Sequence, residues 1–232
     1  MNHTQHGKYL HKLTKWIGFN NYLLEEDDGL TLIDTNLGNN TAAILAVVQQ
    51  IGKPVKRLVV THAHGDHAGA VDAFLAASPD TEFIASERTA WMLSGDVALN
   101  TDEAQSPLKG NYVTVQAKPA RTVKDGDTIG SLTVIRSPGH SPDHIALLDT
   151  RDQTLIAGDA FASQAGLAVS GVTRWLFPFP AMATWDKPTA LKTARMLVDC
   201  KPSRLAVGHG KVIENPELPM QTAIAEAAQK FG

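Results

Sequence analysis

The apolar residues of this chain gather in short β-branched or aliphatic runs, and several of those runs end on a histidine or an aspartate. Arg57-Leu58-Val59-Val60 runs straight into Thr61-His62. Leu132-Thr133-Val134-Ile135 leads through Arg136-Ser137-Pro138-Gly139 to His140. Leu155-Ile156-Ala157-Gly158 leads to Asp159, and Leu205-Ala206-Val207-Gly208 to His209. Runs of this length and composition read as buried strands. Three of the approaches carry Gly just before the final residue, at 139, 158 and 208, where the missing Cβ permits close backbone approach. If neighbouring strands end at one edge of a sheet, these side chains converge there despite their separation in sequence.

The same patterning predicts the other elements. Leu13 to Leu24 and Leu30 to Ile33 read as paired strands around the turn Asp27-Asp28-Gly29. A helix follows from Thr41 to Ile51, with Asn39 or Asn40 as its cap, and Ala68 to Ala77 reads as the next helix. After the strand Glu82-Phe83-Ile84-Ala85, Ser86 is placed to cap a helix ending at Leu93. The second half opens with strands near 121–124 and 129–136 joined by the turn Asp125-Gly126-Asp127, followed by strands near 145–148 and 154–157. Pro188 suits the first turn of a helix reaching Val198, with Asp186 as cap. A strand at 204–207 and a helix from Glu217 to Gln229 complete the pattern. Strands and helices thus alternate twice, which predicts an α/β fold, an αββα sandwich of two sheets with helices outside, in one domain over residues 1–232.

Composition narrows the class. A chain of 232 residues with 43% hydrophobic and 19% charged residues suits one globular domain with a sizeable core. A net charge of -3 gives no electrostatic footprint for a polyanion, so nucleic acid is not expected as a partner. No stretch approaches the ~20 apolar residues of a membrane helix. The polar N-terminus, Met1 to Lys15, lacks the apolar core of a secretion signal. The single cysteine, Cys200, excludes an internal disulfide and fits a reducing cytosol. The expectation is a cytoplasmic protein acting on a small molecule. His3, His6 and His11 fall in that polar N-terminus, where solvated side chains are the default and no role is assigned.

The chemistry concentrates in His62-Ala63-His64-Gly65-Asp66-His67, which puts four metal-ligand side chains into six residues. Imidazole with carboxylate suits a borderline divalent ion such as zinc. His62 and His64, two apart in an extended segment, project to one side, and Gly65 permits a turn that lets Asp66 and His67 reach a second ion. Asp34 ends a strand, the ordinary place of a turn aspartate. Between Asp159 and Asp186 lies a segment rich in Gly and large apolar residues. Phe161, Trp175, Phe177 and Phe179 there are the candidates for an apolar substrate-binding wall, the alternative being a core-covering loop. The polar insertion from Asp96 to Tyr112 reads as a lid or as surface.

Taken together, Thr61-His62-Ala63-His64-Gly65-Asp66-His67-Ala68-Gly69, Ser137-Pro138-Gly139-His140-Ser141, Gly158-Asp159 and Gly208-His209-Gly210 resemble, in order, the motifs of the metallo-β-lactamase fold superfamily. The resemblance spans about Leu13 to His209 and includes Leu32-Ile33-Asp34-Thr35. It implies a dinuclear site in which His62, His64 and His140 hold one divalent ion, and Asp66, His67 and His209 the other. Asp159 would bridge them, while Asp34 and His144 support ligands from behind. It also implies two metal ions, zinc first with manganese or iron as alternatives. The implied activity is hydrolysis of an ester-like acyl bond by a metal-bridging hydroxide, with Asp66 helping to orient it and take up its proton.

Asp159 sets the chain apart from the true β-lactamases, which generally lack a bridging carboxylate there, and aligns it with lactonases and glyoxalase II-like thioesterases. Many acyl-homoserine lactonases place a Tyr three residues after that aspartate, where this chain has Ala162. A lactone remains the leading substrate class. A glyoxalase II-like thioesterase and a mononuclear iron sulfur dioxygenase are the alternatives.

Overall fold

The computed structural model describes residues 1–16, 18–38 and 40–231. Two compact units emerge: Met1–Asp96 with Tyr112–Val123, and Val97–Asn111 with Lys124–Gly232.

In the first unit, β1 (Asn2–His6), β2 (Leu10–Lys15), β3 (Phe19–Glu26) and β4 (Gly29–Ile33) form an antiparallel meander, and α1 (Thr41–Ile51) leads to β5 (Val55–Val60). Then come α2 (Gly65–Ala68), α3 (Val71–Ala77), β6 (Glu82–Ser86), α4 (Glu87–Leu93) and β7 (Arg121–Val123). The seven strands pair in chain order, with β4, β5, β6 and β7 parallel to one another, so the sheet is mixed. Its core is aliphatic: Leu23, Leu32, Leu58, Val59 and Ile84 are fully buried. Asn40 caps α1 by position but not through its side chain, and Asn39 lies outside the described residues. Ser86 caps α4, its Oγ accepting from the Thr89 N–H at 2.9 Å.

Several sequence expectations need correction here. Leu13 to Leu24 is not one strand: Trp16 at φ 50° and Gly18 at φ 101° fold it back between β2 and β3. The expected helix over Ala68–Ala77 is interrupted at Ala70, because the Ala70 N–H leaves the helical ladder to donate to Thr35 Oγ1 at 3.1 Å. Gly65 is no loose turn but the first residue of α2. The 121–124 strand pairs with β6 in this sheet and not with the strand after the Asp125–Asp127 turn. The polar N-terminus, where solvated side chains were expected, forms a strand: β1 pairs with β2 over five residues. There His3 Nε2 lies 3.0 Å from His11 Nδ1, and buried His11 reaches Glu25 Oε1 at 3.0 Å. Glu25, held below the usual carboxylate range by Lys53 and His11, anchors that chain of contacts.

The second unit holds β8 (Thr128–Ile129), β9 (Leu132–Arg136), β10 (Ile145–Asp149), β11 (Thr154–Ile156), β12 (Phe161–Ala162), β13 (Ala168–Val169), α5 (Phe179–Met182), α6 (Lys187–Asp199), β14 (Arg204–Ala206), β15 (Ile213–Glu214) and α7 (Glu217–Phe231). Six strands make a mixed sheet in the order β15-β14-β11-β10-β9-β8, with β11 and β14 parallel, and β12 pairs with β13 apart from it. Asp186 caps α6 as expected, accepting from the Thr189 N–H at 3.0 Å. The faces of α6 and α7 that carry Leu191, Ala194, Leu197, Met220, Ala223 and Ala227 share one core cluster with Leu155 and Leu205 of the sheet and with Val207 just after β14. No described helix is long and apolar enough to cross a membrane.

Candidate metal centre

In the second unit, β9 and β11 both run antiparallel to β10, and β14 runs parallel to β11. Strands β9, β11 and β14 therefore end at the same sheet edge, and His140, Asp159 and His209 follow those ends. The Gly208 N–H donates to Gly158 O at 2.8 Å, continuing the β11–β14 ladder up to the two ligand candidates. Gly139, at φ +136°, presses so closely on α6 that a Cβ would lie 2.3 Å from Ala190 Cα. That approach, with the Trp185 N–H donating to His140 O at 2.8 Å, fixes the backbone beneath His140. Asp159 Oδ2 ends up 3.4 Å from His140 Nε2 and 3.1 Å from His209 Nε2. All three side chains are buried.

In the first unit, parallel β4 and β5 bring Asp34 beside Thr61, and His62 follows. Asp34 Oδ1 accepts the Thr61 N–H at 2.8 Å, and its Oδ2 accepts the Thr61 hydroxyl at 2.9 Å and the His67 Nδ1–H at 2.7 Å. His62 Nε2 lies 3.1 Å from His64 Nδ1. Asp66 Oδ2 stands 3.9 Å from His67 Nε2, with the Asp66 carboxylate partly exposed. His64 also bridges Tyr112 along the backbone, with the two rings 4.5 Å apart.

Proton positions follow from these bonds. An ionised carboxylate only accepts, so His67 carries its hydrogen on Nδ1 toward Asp34 and turns the Nε2 lone pair outward. The Thr61 hydroxyl spends its one hydrogen on Asp34, so His62 Nδ1, 3.1 Å from Thr61 Oγ1, donates to that oxygen and its Nε2 is likewise an acceptor. In the second unit the Thr184 hydroxyl donates to Pro180 O at 2.8 Å; the Ser170 hydroxyl must then donate to Thr184 Oγ1, also at 2.8 Å. Ser170 Oγ in turn accepts from His140 Nδ1 at 2.9 Å. The Nε2 lone pair of His140 is thereby aimed at the Asp159 carboxylate, and two acceptors held 3.4 Å apart call for a cation between them. The distances fit one, since ligand atoms ~2.0–2.1 Å from a tetrahedral zinc lie ~3.3 Å apart. His144 plays a different part. It accepts the Asp159 N–H on Nε2 at 3.0 Å, so its Nδ1–H donates to Ser137 Oγ at 2.8 Å. His144 thus holds the backbone of Asp159.

The sequence model of the metallo-beta-lactamase superfamily matches residues 16–209. The chain belongs to that superfamily.

An uncharacterized protein of Bacillus subtilis (strain 168), YobT, is 47% identical over 209 residues, covering 90% of each chain. A probable metallo-hydrolase of the same organism, YflN, is 26% identical over 223 residues, covering 88% of this chain and 84% of its own. A solved structure, TTHA1623 in a di-iron-bound form, superimposes with a TM-score of 0.62 at 26% identity, covering 85% of this chain and 90% of that one. The α/β metallo-β-lactamase fold, with its mixed sheets and helices, is therefore the fold of this chain. It is a metal-dependent hydrolase of that superfamily with a His/Asp metal-binding cluster.

Around the superfamily's ligand positions, the apolar candidates separate. Phe161 is 0% exposed and belongs to the second unit's core, because pairing of β12 with β13 turns its ring inward; it is a packing residue and not part of an open wall. Phe177 packs its ring 5.4 Å from that of His209 and edge-on to Phe179 at 5.4 Å. Trp175 is 92% and Phe179 63% exposed. The Asp96–Tyr112 insertion is tied down where Trp185 Nε1 donates to Ser106 O at 2.9 Å and the Ser106 hydroxyl donates to Asp186 at 2.7 Å. Sequence reasoning missed Ser170 and Thr184, which lie 30 and 44 positions beyond His140 and carry no motif. It also gave Thr61 no role, although its place directly before His62 was a usable signal.

Proposed function

We propose that this chain, acting as one catalytic domain, hydrolyses an ester-like acyl bond of a small molecule, a lactone foremost, with two divalent metal ions, zinc first. His62, His64 and His140 would hold one ion and Asp66, His67 and His209 the other, with Asp159 shared between them. The observation that carries the reading is Asp159 Oδ2, which stands at ligand-to-ligand spacing from both His140 Nε2 and His209 Nε2. One oxygen that near two imidazoles is what a bridging carboxylate requires; two imidazoles with one carboxylate also suit a mononuclear iron oxygenase, so it is the full set of seven ligand-type residues, more than one ion needs, that favours the dinuclear reading. When bound, such ions supply Lewis acidity toward an acyl carbonyl and bring the pKa of water down toward ~7.

The chain's own groups do the rest. Asp34, Thr61 and Ser170 keep the ligand imidazoles in the accepting tautomer. Asp66, with the most exposed carboxylate of the set, takes up the proton released as water attacks. No Ser-His dyad is needed. The net charge of -3 suits a small substrate and disfavours a polyanion.

Elemental analysis of the purified protein, with assays on a panel of lactones, thioesters and a β-lactam, tests this reading. Two metals per chain with lactone turnover is the expected result, and preferred thioester turnover would shift the bond class to the glyoxalase II-like alternative. One iron per chain, oxygen uptake on a persulfide and no hydrolysis would overturn it.

A further inference from the structure

Residues 175–183 read Trp-Leu-Phe-Pro-Phe-Pro-Ala-Met-Ala, without a charged side chain. Trp175 is 92%, Leu176 88%, Phe179 63% and Met182 68% exposed. Large apolar side chains standing in water so close together mark a binding surface more often than a solvated one. The backbone beneath them is braced. Arg174 forks onto Glu226 at 2.7 and 2.6 Å and donates to Leu167 O at 2.8 Å. The Phe177 N–H returns to Arg174 O at 2.9 Å, and the Thr184 hydroxyl holds Pro180 O. Pro178 and Pro180 fix their own φ angles. These side chains are presented by a held backbone. The surface is also continuous with the candidate metal centre: the Phe177 ring packs against both the His209 and the Phe179 rings.

We propose that Trp175, Leu176, Phe179 and Met182 form a platform for the apolar acyl tail of the substrate, reached from His209 across Phe177. The proposal rests on the acyl-hydrolase reading above and specifies its substrate class: an unbranched medium- or long-chain acyl group carrying no charge along its tail. Continuity with His209 favours a substrate tail over a protein partner, and the segment from 175 to 183 offers no ion-pair partner to the carboxylates of a peptide thiol. Trp175 and Leu176 set chain-length preference.

The experiment measures kcat/KM of the metal-loaded protein on p-nitrophenyl esters from acetate to decanoate and on γ-lactones with growing alkyl tails. It compares the wild type with a Trp175→Ser/Leu176→Ser variant. The wild type is expected to gain roughly two- to fourfold per methylene, up to the transfer value of one buried CH₂, and the variant to lose most of that slope. Decanoate titration gives a second readout, a blue shift of tryptophan emission that disappears in Trp175→Phe. Turnover at every length without chain-length dependence would overturn the platform and leave the hydrolase reading standing. If no ester or lactone is cleaved, that reading falls and the decanoate titration alone decides: without a shift, the platform falls too. A concentration-dependent dimer in sedimentation, abolished in the double variant, would assign the surface to a second copy and overturn the proposal.

Discussion

Ser170→Ala removes one oxygen and leaves the rest of the His140 surroundings in place, so it isolates what the tautomer relay contributes. In the wild type the Ser170 hydroxyl accepts the His140 Nδ1–H at 2.9 Å and donates to Thr184 at 2.8 Å. Ser170 and His140 are both buried, so water does not readily replace the lost oxygen. A buried donor deprived of its acceptor costs about 1–3 kcal/mol. Removing the partner that orients a metal-bound imidazole typically lowers metal affinity 10- to 100-fold, or ~1.4–2.7 kcal/mol. The expected result is weaker binding of the ion that His62, His64 and His140 would share, while the ion of Asp66, His67 and His209 keeps close to wild-type affinity. Competition with a chromogenic chelator at graded free zinc, read as metal per chain, separates the two. Ser170→Thr keeps the hydroxyl and is expected to recover most of the affinity. If Ser170→Ala lowers the melting temperature yet binds both ions as the wild type does, Ser170 merely fills space and the tautomer argument for His140 fails.

Gly139→Ala would force a Cβ to 2.3 Å from Ala190 Cα at φ +136°; a loss of several kcal/mol in stability is expected, and a melting temperature within a degree of wild type would refute the close-approach argument. Asp34→Asn keeps a side chain that tolerates the left-handed φ of 62° but removes the charge facing His67 and replaces one accepting oxygen by a donor, so calorimetric titration should show a 10- to 100-fold weaker ion on the His67 side, with a stability loss of about 1–3 kcal/mol. Glu226 has its carboxyl drawn down from 4.5 to about 2 by the Arg174 and Lys230 hydrogen bonds. A depressed folded pKa contributes stability that is complete above 4.5 and is lost as pH falls toward 2. For a partly exposed pair Arg174→Gln should cost about 1 kcal/mol at pH 7, and denaturant melts across that pH range should show the gap to wild type closing.

What was legible in the sequence was the strand-to-ligand grammar. The runs before Thr61, Arg136, Ala157 and Val207 are apolar, and β5, β9, β11 and β14 stand there, although the strand expected over 129–136 is broken at Gly130, φ 57°, into β8 and β9, which pair antiparallel. Capping chemistry at Ser86 and Asp186 was legible for the same local reason. Pairing was not. Arg121–Val123 is followed by a hairpin-like turn, yet its parallel partner β6 lies more than thirty residues back, and nothing periodic announces that. β1 escaped because Asn2–His6 has no apolar alternation; ladder hydrogen bonds and the His3–His11–Glu25 contacts hold it instead. Of the candidate site, the ligand types could be read from the motifs, but Ser170 could not. Its importance depends on a hydroxyl chain that ends at a backbone carbonyl 10 residues further on, at Pro180.

The groups behind the ligands carry a consequence of their own. His67 is oriented by Asp34, His62 by Thr61 and His140 by Ser170, in each case within the ligand's own unit. Asp159 is positioned through its backbone by His144. Each of the three imidazoles therefore presents its Nε2 lone pair before any ion arrives, and binding need not shift a proton between ring nitrogens. Three of the four supports are uncharged: two hydroxyls and a neutral imidazole. The exception, Asp34, places its negative charge behind His67, on the side where Asp66 would add a second carboxylate. The His140 side depends on a hydroxyl relay, which the loss of one oxygen disrupts, and the His67 side depends on a carboxylate charge. Substitutions behind His140 should therefore act through position and those behind His67 through charge, and the contrast between Ser170→Ala and Asp34→Asn rests on that difference.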